Sequence, residues 1–144
     1  MAITQAMCTS FKSEVLQEGH QLATDTIKIA LYTSSASLDA TTTAYSSSNE
    51  VSGTGYTATG VTLTSTAVST TGTTAHFDAD DPTWTSASFT ARGALIYNST
   101  TDGGSGTTNA ICVLDFSADK TTTANDFIVG FPTADSSTAI IRFD

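Results

Sequence analysis

From residue 26 onward, apolar residues alternate with threonine, serine or other small residues at a period of two. In the clearest segment, Ile27, Ile29 and Leu31 are separated by single Lys and Ala residues. Successive side chains of a β-strand point to opposite faces, so the pattern predicts strands with one buried face and one wet face. Threonine suits the wet face because its branched side chain packs through the methyl group while the hydroxyl group contacts water.

The composition shows why this chain folds although it is rich in small polar residues. Ser and Thr supply 48 of the 144 residues, a fraction that in other chains accompanies disorder. Here 39% of the residues are hydrophobic, which is enough to build a core at this length. The hydroxyl groups are therefore expected on exposed strand faces of one folded domain.

Short segments with the same signal recur along the rest of the chain. They lie at 61–68, 75–77, 84–89, 94–97, 110–116, 127–131 and 139–143. Together with the strand at 26–31 they make about eight strands without a helical period between them, which favours an antiparallel fold. We predict a mainly β protein, an antiparallel β-sandwich or jelly roll. The Ser- and Thr-rich stretch 34–60 is predicted to be a long loop.

The N-terminal segment has a different period. Ile3, Met7, Phe11 and Val15 recur every four residues, which predicts an amphipathic helix over residues 1–18, and Gly19 follows as a candidate C-terminal cap. We divide the chain into an N-terminal helical arm, 1–22, and a β-sandwich domain, 23–144. The apolar stripe of the arm must be buried either on its own sheet or on a neighbouring subunit, and both alternatives stay open.

The charge excludes several classes of partner. The chain has 14 Asp and Glu residues against 5 Lys and Arg, for a net charge of -9, and the basic residues are scattered. We expect no direct binding to nucleic acid, because that function needs a basic surface, and no docking on an anionic membrane. No run of apolar residues is long enough for a membrane span, and the N-terminus lacks the pattern of a signal peptide, so synthesis is expected in the cytoplasm.

No catalytic constellation is visible in the sequence. His20 and His76 are the only imidazole bases, and no G-x-S-x-G motif is present. His76 is expected on an exposed strand edge, whereas Cys8 and Cys112 are expected to be buried small side chains. The G-x-G-x-x-A match at 53–58 precedes a β pattern rather than a helix, so it is interpreted as a loop. We predict no enzyme activity, no catalytic residue and no cofactor.

Two weaker binding hypotheses come from single features. Asp78, Asp80 and Asp81 form an acidic cluster that could supply oxygen ligands to Ca²⁺, although aspartates at turns more often cap backbone groups. Trp84, the only tryptophan, could serve as a platform for a sugar ring, although a lone tryptophan in a strand is more often part of the core. Zinc is disfavoured because the Cys and His residues do not cluster.

Five segments resemble a family of small virion proteins of tailed bacteriophages. They are MAITQAMCTSFK at 1–12, IKIALYTS at 27–34, FTARGALIYN at 89–98, VLDF at 113–116 and AIIRF at 139–143. The likeness covers both ends and the middle of the chain and has no short diagnostic motif.

The resemblance implies a structural part of a phage particle. We expect a capsid decoration, or cement, protein that binds the major capsid protein on the outer surface of the virion and associates with copies of itself as a dimer or trimer. Ile3, Met7, Phe11 and Val15 are the candidate residues for contact with the capsid or with another subunit. The alternative is a tail or fibre component that binds a receptor or glycan, for which the 34–60 loop and Trp84 would be used.

Overall fold

The computed structural model describes residues 2–17, 19–100 and 109–144. The predicted arm 1–22 therefore includes two positions, 1 and 18, that lie outside the described residues. The elements in chain order are β1 Ala6–Met7, α1 Thr9–Val15, β2 Ile27–Tyr32, β3 Val61–Thr62, β4 Ala67–Thr71, β5 Thr74–Asp78, β6 Thr83–Asn98, β7 Ala110–Ile128 and β8 Ile141–Phe143.

The strands form two antiparallel sheets. The larger sheet has the order β1-β7-β6-β2-β3, and the smaller has the order β4-β5-β8. The fold is thus mainly β, as the alternation of apolar and hydroxyl side chains predicts. The strand β2 lies where the pattern around Ile29 places it, and it pairs along its whole length with the second half of β6.

The two longest strands, β6 and β7, lie side by side in the larger sheet. Their ladder runs from Thr83 opposite Ile128 to Tyr97 opposite Ala110. The sequence predicted two short strands in each of these regions, and that prediction is wrong. The pairing register of β6 and β7 shifts where polar residues interrupt the apolar pattern. In β7, the φ angles of Ser117 and Ala124 are positive, at 65° and 48°. Such bulges bend a strand without ending it, so the polar residues do not mark turns.

The N-terminal segment is mostly not helical, which corrects the predicted helix over residues 1–18. The helix α1 has only seven residues, Ala6 and Met7 pair with β7 as strand β1, and Ile3 forms an isolated bridge with Leu38. A spacing of four residues also results when a chain lays successive apolar side chains on one sheet. Pairing with β7 satisfies backbone hydrogen-bonding groups that an isolated short helix would leave unpaired. Residues 6 and 7 therefore form a strand instead of extending the helix.

A close approach at Gly93 explains how this segment packs on the sheet. A Cβ atom added at Gly93, in the middle of β6, would lie 2.9 Å from the side chain of Ile3. Glycine therefore leaves the space that Ile3 occupies. The N-terminal segment is consequently joined to the larger sheet by backbone pairing and by side-chain packing.

One hydrophobic cluster includes residues of both sheets. Phe77 and Ile141 from the smaller sheet belong to the same cluster as Ile29 and Leu95 from the larger one. Trp84 is buried and contacts Phe127 with ring centroids 6.0 Å apart. Both cysteines are buried and unpaired, as predicted.

Candidate interaction surfaces

The four tyrosines of the chain gather around one carboxylate, Glu50. The hydroxyl groups of Tyr45 and Tyr56 donate to the two carboxylate oxygens at 2.6 Å and 2.7 Å, and the Thr59 amide donates to Oε1 at 2.8 Å. The ring of Tyr97 stacks on that of Tyr45 with centroids 4.9 Å apart. This network attaches the 34–60 segment to β2 and β6, so the predicted loop is held in a fixed position.

Thr59 shows how firmly the network holds the chain. Its φ of 79° is unfavourable for a β-branched residue. Besides the amide, its carbonyl oxygen accepts from the Tyr97 hydroxyl at 2.7 Å, and its hydroxyl oxygen accepts from Lys28 Nζ at 2.7 Å. Each polar group of Thr59 is therefore used inside the fold, which indicates a structural role for this cluster.

Burial raises the pKa values of the tyrosines in this cluster. The pKa of Tyr97 rises from 10.0 to about 12, because burial disfavours the charged form and the charge of Glu50 adds to the effect. Burial also raises the pKa of Tyr32, Tyr45 and Tyr56. The tyrosines therefore stay neutral at physiological pH and act as hydrogen-bond donors.

The predicted contact residues of the N-terminal segment are largely used within the chain. Ile3 and Phe11 are buried, with Phe11 completely inaccessible, and Met7 and Val15 are partly buried against the same core. Ile3 and Phe11 are therefore enclosed by their own fold, and their contact with a second molecule stays a prediction. Val15 keeps an accessible side and is followed by Leu16, which is 85% exposed.

The three aspartates of the calcium hypothesis do not converge on one point. Asp80 Oδ2 accepts from the Ser65 hydroxyl at 2.6 Å, whereas Asp81 Oδ1 accepts from the Phe131 amide at 2.8 Å, and Asp78 lies at the end of β5. In the part of the chain that the structure describes, no group of three or more His, Cys, Asp or Glu side chains is arranged to hold a metal ion. Asp80 and Asp81 act as caps for neighbouring chain segments.

The histidines and the tryptophan are all buried. His76, which was predicted to be exposed, is only 6% accessible, because the hydroxyl groups of Ser69 and Thr71 contact its ring nitrogens at 3.3 Å and 3.0 Å. The Nε2 atom of His20 contacts Glu14 Oε2 at 3.0 Å, and its Nδ1 atom contacts the side-chain amide nitrogen of Asn98 at 3.1 Å. Trp84 is 3% accessible, so it cannot stack on a sugar.

Two surface grooves remain as candidates for binding. The first, which we call the β7 groove, has a volume of about 760 Å³ and is lined by β7, by the chain that follows it and by Gln5. Its apolar side chains include Leu114, Phe116, Phe131 and Ile128, the last of which is 58% exposed. A groove of this size is within the range that accommodates ligands or peptide segments.

The β7 groove begins where strand β1 stops covering β7. Met7 pairs with Cys112 and Ala6 with Val113, and the side chain of Gln5 then accepts a hydrogen bond from the Asp115 amide at 3.3 Å. Among the described residues, no strand pairs with the outer edge of β7 beyond this point. The groove therefore lies along a free strand edge, which is a surface that can accept an added strand.

The second groove, which we call the β4 groove, has a volume of about 360 Å³ and lies between Val15, residues 20–24 and the smaller sheet. Its walls include Leu22, Val68, Phe77 and Phe143, and none of the described residues that line it is an Asp, Glu, Lys or Arg. Cross-strand register explains its apolar floor, because Val68 pairs with Phe77 and Phe77 pairs with Ile141. Residues in one cross-strand row point to the same face of a sheet.

Sequence reasoning missed both grooves and the Glu50 network. The alternation at 61–68 and at 110–116 indicated strands, but it gave no signal for which strand edges would stay free. The four tyrosines were visible, yet nothing local connected Tyr97 to Glu50. One partial signal was the absence of charged residues from 51 to 77, which marks the surface around β4.

Comparisons with protein-family models, curated proteins and solved structures return no match to this chain. Among the described residues, no helix is long and apolar enough to span a membrane.

Proposed function

We propose that this chain is a structural protein of a tailed-bacteriophage particle and that it decorates the outer surface of the capsid. In this role it binds the major capsid protein and stabilises the assembled head. The proposal adds no enzymatic step. It needs a stable fold, a surface that binds the capsid and an outer face that stays hydrated when many copies are packed closely on the capsid.

The position of the phage-like segments within the fold supports this proposal most directly. Residues 27–34 contain β2, residues 89–98 lie in β6, residues 113–116 lie in β7 and residues 1–12 contain β1. These strands are neighbours in the order β1-β7-β6-β2. Four of the five phage-like segments therefore lie in one continuous sheet, and the fifth, 139–143, contains β8 of the smaller sheet. The resemblance thus falls on strands of the structural body, as expected when relatives share that body, rather than on scattered surface positions.

We assign the docking surface to the β7 groove, with an extended segment of the major capsid protein as its occupant. The free edge of β7 would supply backbone hydrogen bonds, and the apolar side chains of Phe116, Ile128 and Phe131 would receive alternate side chains of the added strand. Many copies on one shell make a modest affinity per copy sufficient.

The two sheets are, in this proposal, the two layers of a β-sandwich. The shared hydrophobic cluster of Phe77, Ile141, Ile29 and Leu95 supports facing sheets. A jelly roll would be one particular strand topology of such a sandwich.

The tail or fibre alternative has lost Trp84, one of the two features that motivated it. Trp84 is buried, and the 34–60 segment is attached to the body through Glu50. No observation on the described residues favours glycan binding, so we keep decoration as the single proposal.

The test is to measure copy number and position on particles of the phage that carries this gene. Quantitative mass spectrometry of purified virions should show many copies, and electron cryomicroscopy with a labelled antibody should place them over the head. Few copies at a single vertex would indicate a tail protein, and absence from particles would reject a virion role altogether.

The β7 groove is tested separately with the variant Ile128→Lys. Because Ile128 is 58% exposed, the substitution should leave the fold intact but should place a charge where the shell segment would pack. Particles that lack the protein should bind this variant at least tenfold more weakly than the wild type. Ser48→Lys adds the same charge at an exposed position outside the groove lining and should bind like the wild type; equal binding by both variants would argue against the groove.

A further inference from the structure

The outer edge of strand β4 is an unprotected sheet edge. All five residues Ala67–Thr71 are exposed, and they pair in continuous register with β5 alone. In the part of the chain that the structure describes, no strand pairs with the other side of β4. Sheet edges in proteins are usually blocked by charges, proline or bulges, and β4 has none of these.

The β4 groove adds exposed apolar surface beside this edge. Val68 is 52% exposed and Phe143 is 41% exposed, and both line the groove. Leu16, the most exposed large hydrophobic side chain of the described residues, directly follows Val15, which also lines it. Apolar side chains gathered next to a free strand edge are typical of a surface that is covered by another protein.

The distribution of charged residues favours a second copy of this chain as the partner. Two copies of a chain with a net charge of -9 repel each other, and the repulsion is smallest where the facing surfaces carry no charge. The stretch 51–77 contains no Asp, Glu, Lys or Arg, and neither do the described residues that line the β4 groove. Asp78 pairs with Ala67 and Asp144 accepts a hydrogen bond from Thr74, so carboxylates flank β4 on the β5 side. The strand itself offers a basic partner no carboxylate, whereas a second copy meets an edge as uncharged as its own.

We infer that β4 and the β4 groove form a two-fold interface between two copies of this chain. The two β4 strands pair antiparallel around Ser69, the middle residue of the strand, because that register pairs the largest number of residues. A two-fold contact uses the same patch on both copies, so no second surface is needed. The result is a continuous sheet in which β8-β5-β4 of one protomer joins β4-β5-β8 of its partner.

This arrangement places Val68 of one copy beside Thr70 of the other, since these residues lie on either side of Ser69. Their side chains share the face that carries Phe77 and Ile141, so pairing extends the apolar floor of the groove across the two-fold axis. The inference concerns the free chain and does not depend on the proposed capsid function, which uses the β7 groove.

The first test measures the mass of the full chain in solution by sedimentation equilibrium over a range of concentrations. We expect twice the chain mass of 14.8 kDa for the wild type and at least a tenfold weaker association for Val68→Lys. The added lysine lowers the net negative charge, so a general electrostatic effect would strengthen association instead. Thr85→Lys makes the same change in charge elsewhere and should associate like the wild type.

The second test does not depend on how Val68→Lys folds. In the variant Ser69→Cys, the two new thiols face each other across the proposed axis, so mild oxidation should produce a covalent dimer. The native Cys8 and Cys112 are buried and should not compete. A monomeric or trimeric wild type would overturn the inference, and a dimer that fails to cross-link through position 69 would overturn the β4 pairing.

Discussion

Glu50 is the residue with the widest influence on the surface of this fold. Its two carboxylate oxygens accept hydrogen bonds from Tyr45, Tyr56 and the Thr59 amide, three groups that lie within fifteen residues in sequence but on different turns of the 34–60 segment. Tyr56 also accepts from the Leu31 amide at 2.9 Å, which connects the network to β2. Together with backbone hydrogen bonds from the Val51 amide to Leu31 and from the Thr33 amide to Asn49, this acceptor positions a segment of low complexity.

The variant Glu50→Ala should lower the free energy of unfolding by about 3 kcal/mol, because it leaves partly buried donors without their charged acceptor. Glu50→Gln keeps one acceptor oxygen and should cost about 1 kcal/mol by the same reasoning. Urea unfolding followed by circular dichroism measures both values. Asp119→Ala removes the same charge from an exposed position and should change stability by less than about 0.5 kcal/mol. An equal effect of the Glu50 and Asp119 variants would mean that the network contributes nothing.

The N-terminal segment shows at the element scale how a correct pattern can lead to a wrong element. The apolar residues at positions 3, 7, 11 and 15 are indeed the ones that pack, but they do so from a bridge, a strand and a short helix in turn. The helix has no side-chain cap, since Cys8 at its N-cap is buried in the core instead. Tertiary packing stabilises α1, and its own sequence contributes little.

The two ends of α1 therefore differ sharply in their sensitivity to substitution. Phe11→Ala removes a side chain that is completely buried and should lower the free energy of unfolding by about 3–5 kcal/mol. Leu16→Ala, just after the same helix, removes a side chain that is 85% exposed and should cost less than about 0.5 kcal/mol. Thermal and urea unfolding of the pair provides the measurement. Similar losses for both would show that α1 does not pack as described.

At the scale of the whole molecule, the chain combines few charges with a strongly acidic balance. The net charge of -9 comes mainly from aspartates, several of which cap turns, such as Asp135, whose Oδ1 accepts from the Ser137 and Thr138 amides. These hydrogen bonds lower the pKa of Asp135, and those from Thr41 lower the pKa of Asp39. Asp39 and Asp135 therefore stay ionised to a lower pH than an ordinary aspartate does.

Alkaline pH should destabilise the fold as a whole. The tyrosines around Glu50 have raised pKa values in the folded chain, so the folded state holds their protons more tightly than the unfolded state does. Their contribution is complete below the ordinary pKa of 10.0 and is lost as the pH rises toward about 12, the value for Tyr97. Urea unfolding at successive pH values should show this decline, and tyrosinate absorbance should appear at lower pH in the unfolded chain. Coincident titration of folded and unfolded chains would contradict the burial of these rings.

The sequence by itself determined the class of fold and much of the core. Alternation of apolar and hydroxyl side chains is a local property, and it correctly indicated β structure and the strand around Ile29. Residue type alone favoured the burial of both cysteines and of Trp84 that the structure shows. Periodicity could not show that β6 and β7 continue through their bulges, because a bulge and a turn have the same polar composition.

Only the tertiary structure decided which elements meet. The pairing of Met7 with Cys112, the gathering of Tyr45 and Tyr97 near Glu50 and the free edge of β4 all depend on contacts between distant parts of the chain. The same local pattern is compatible with many pairings. The choice among them is made by the total apolar area that is buried and the backbone hydrogen bonds that are satisfied, and both are properties of the assembled sheets.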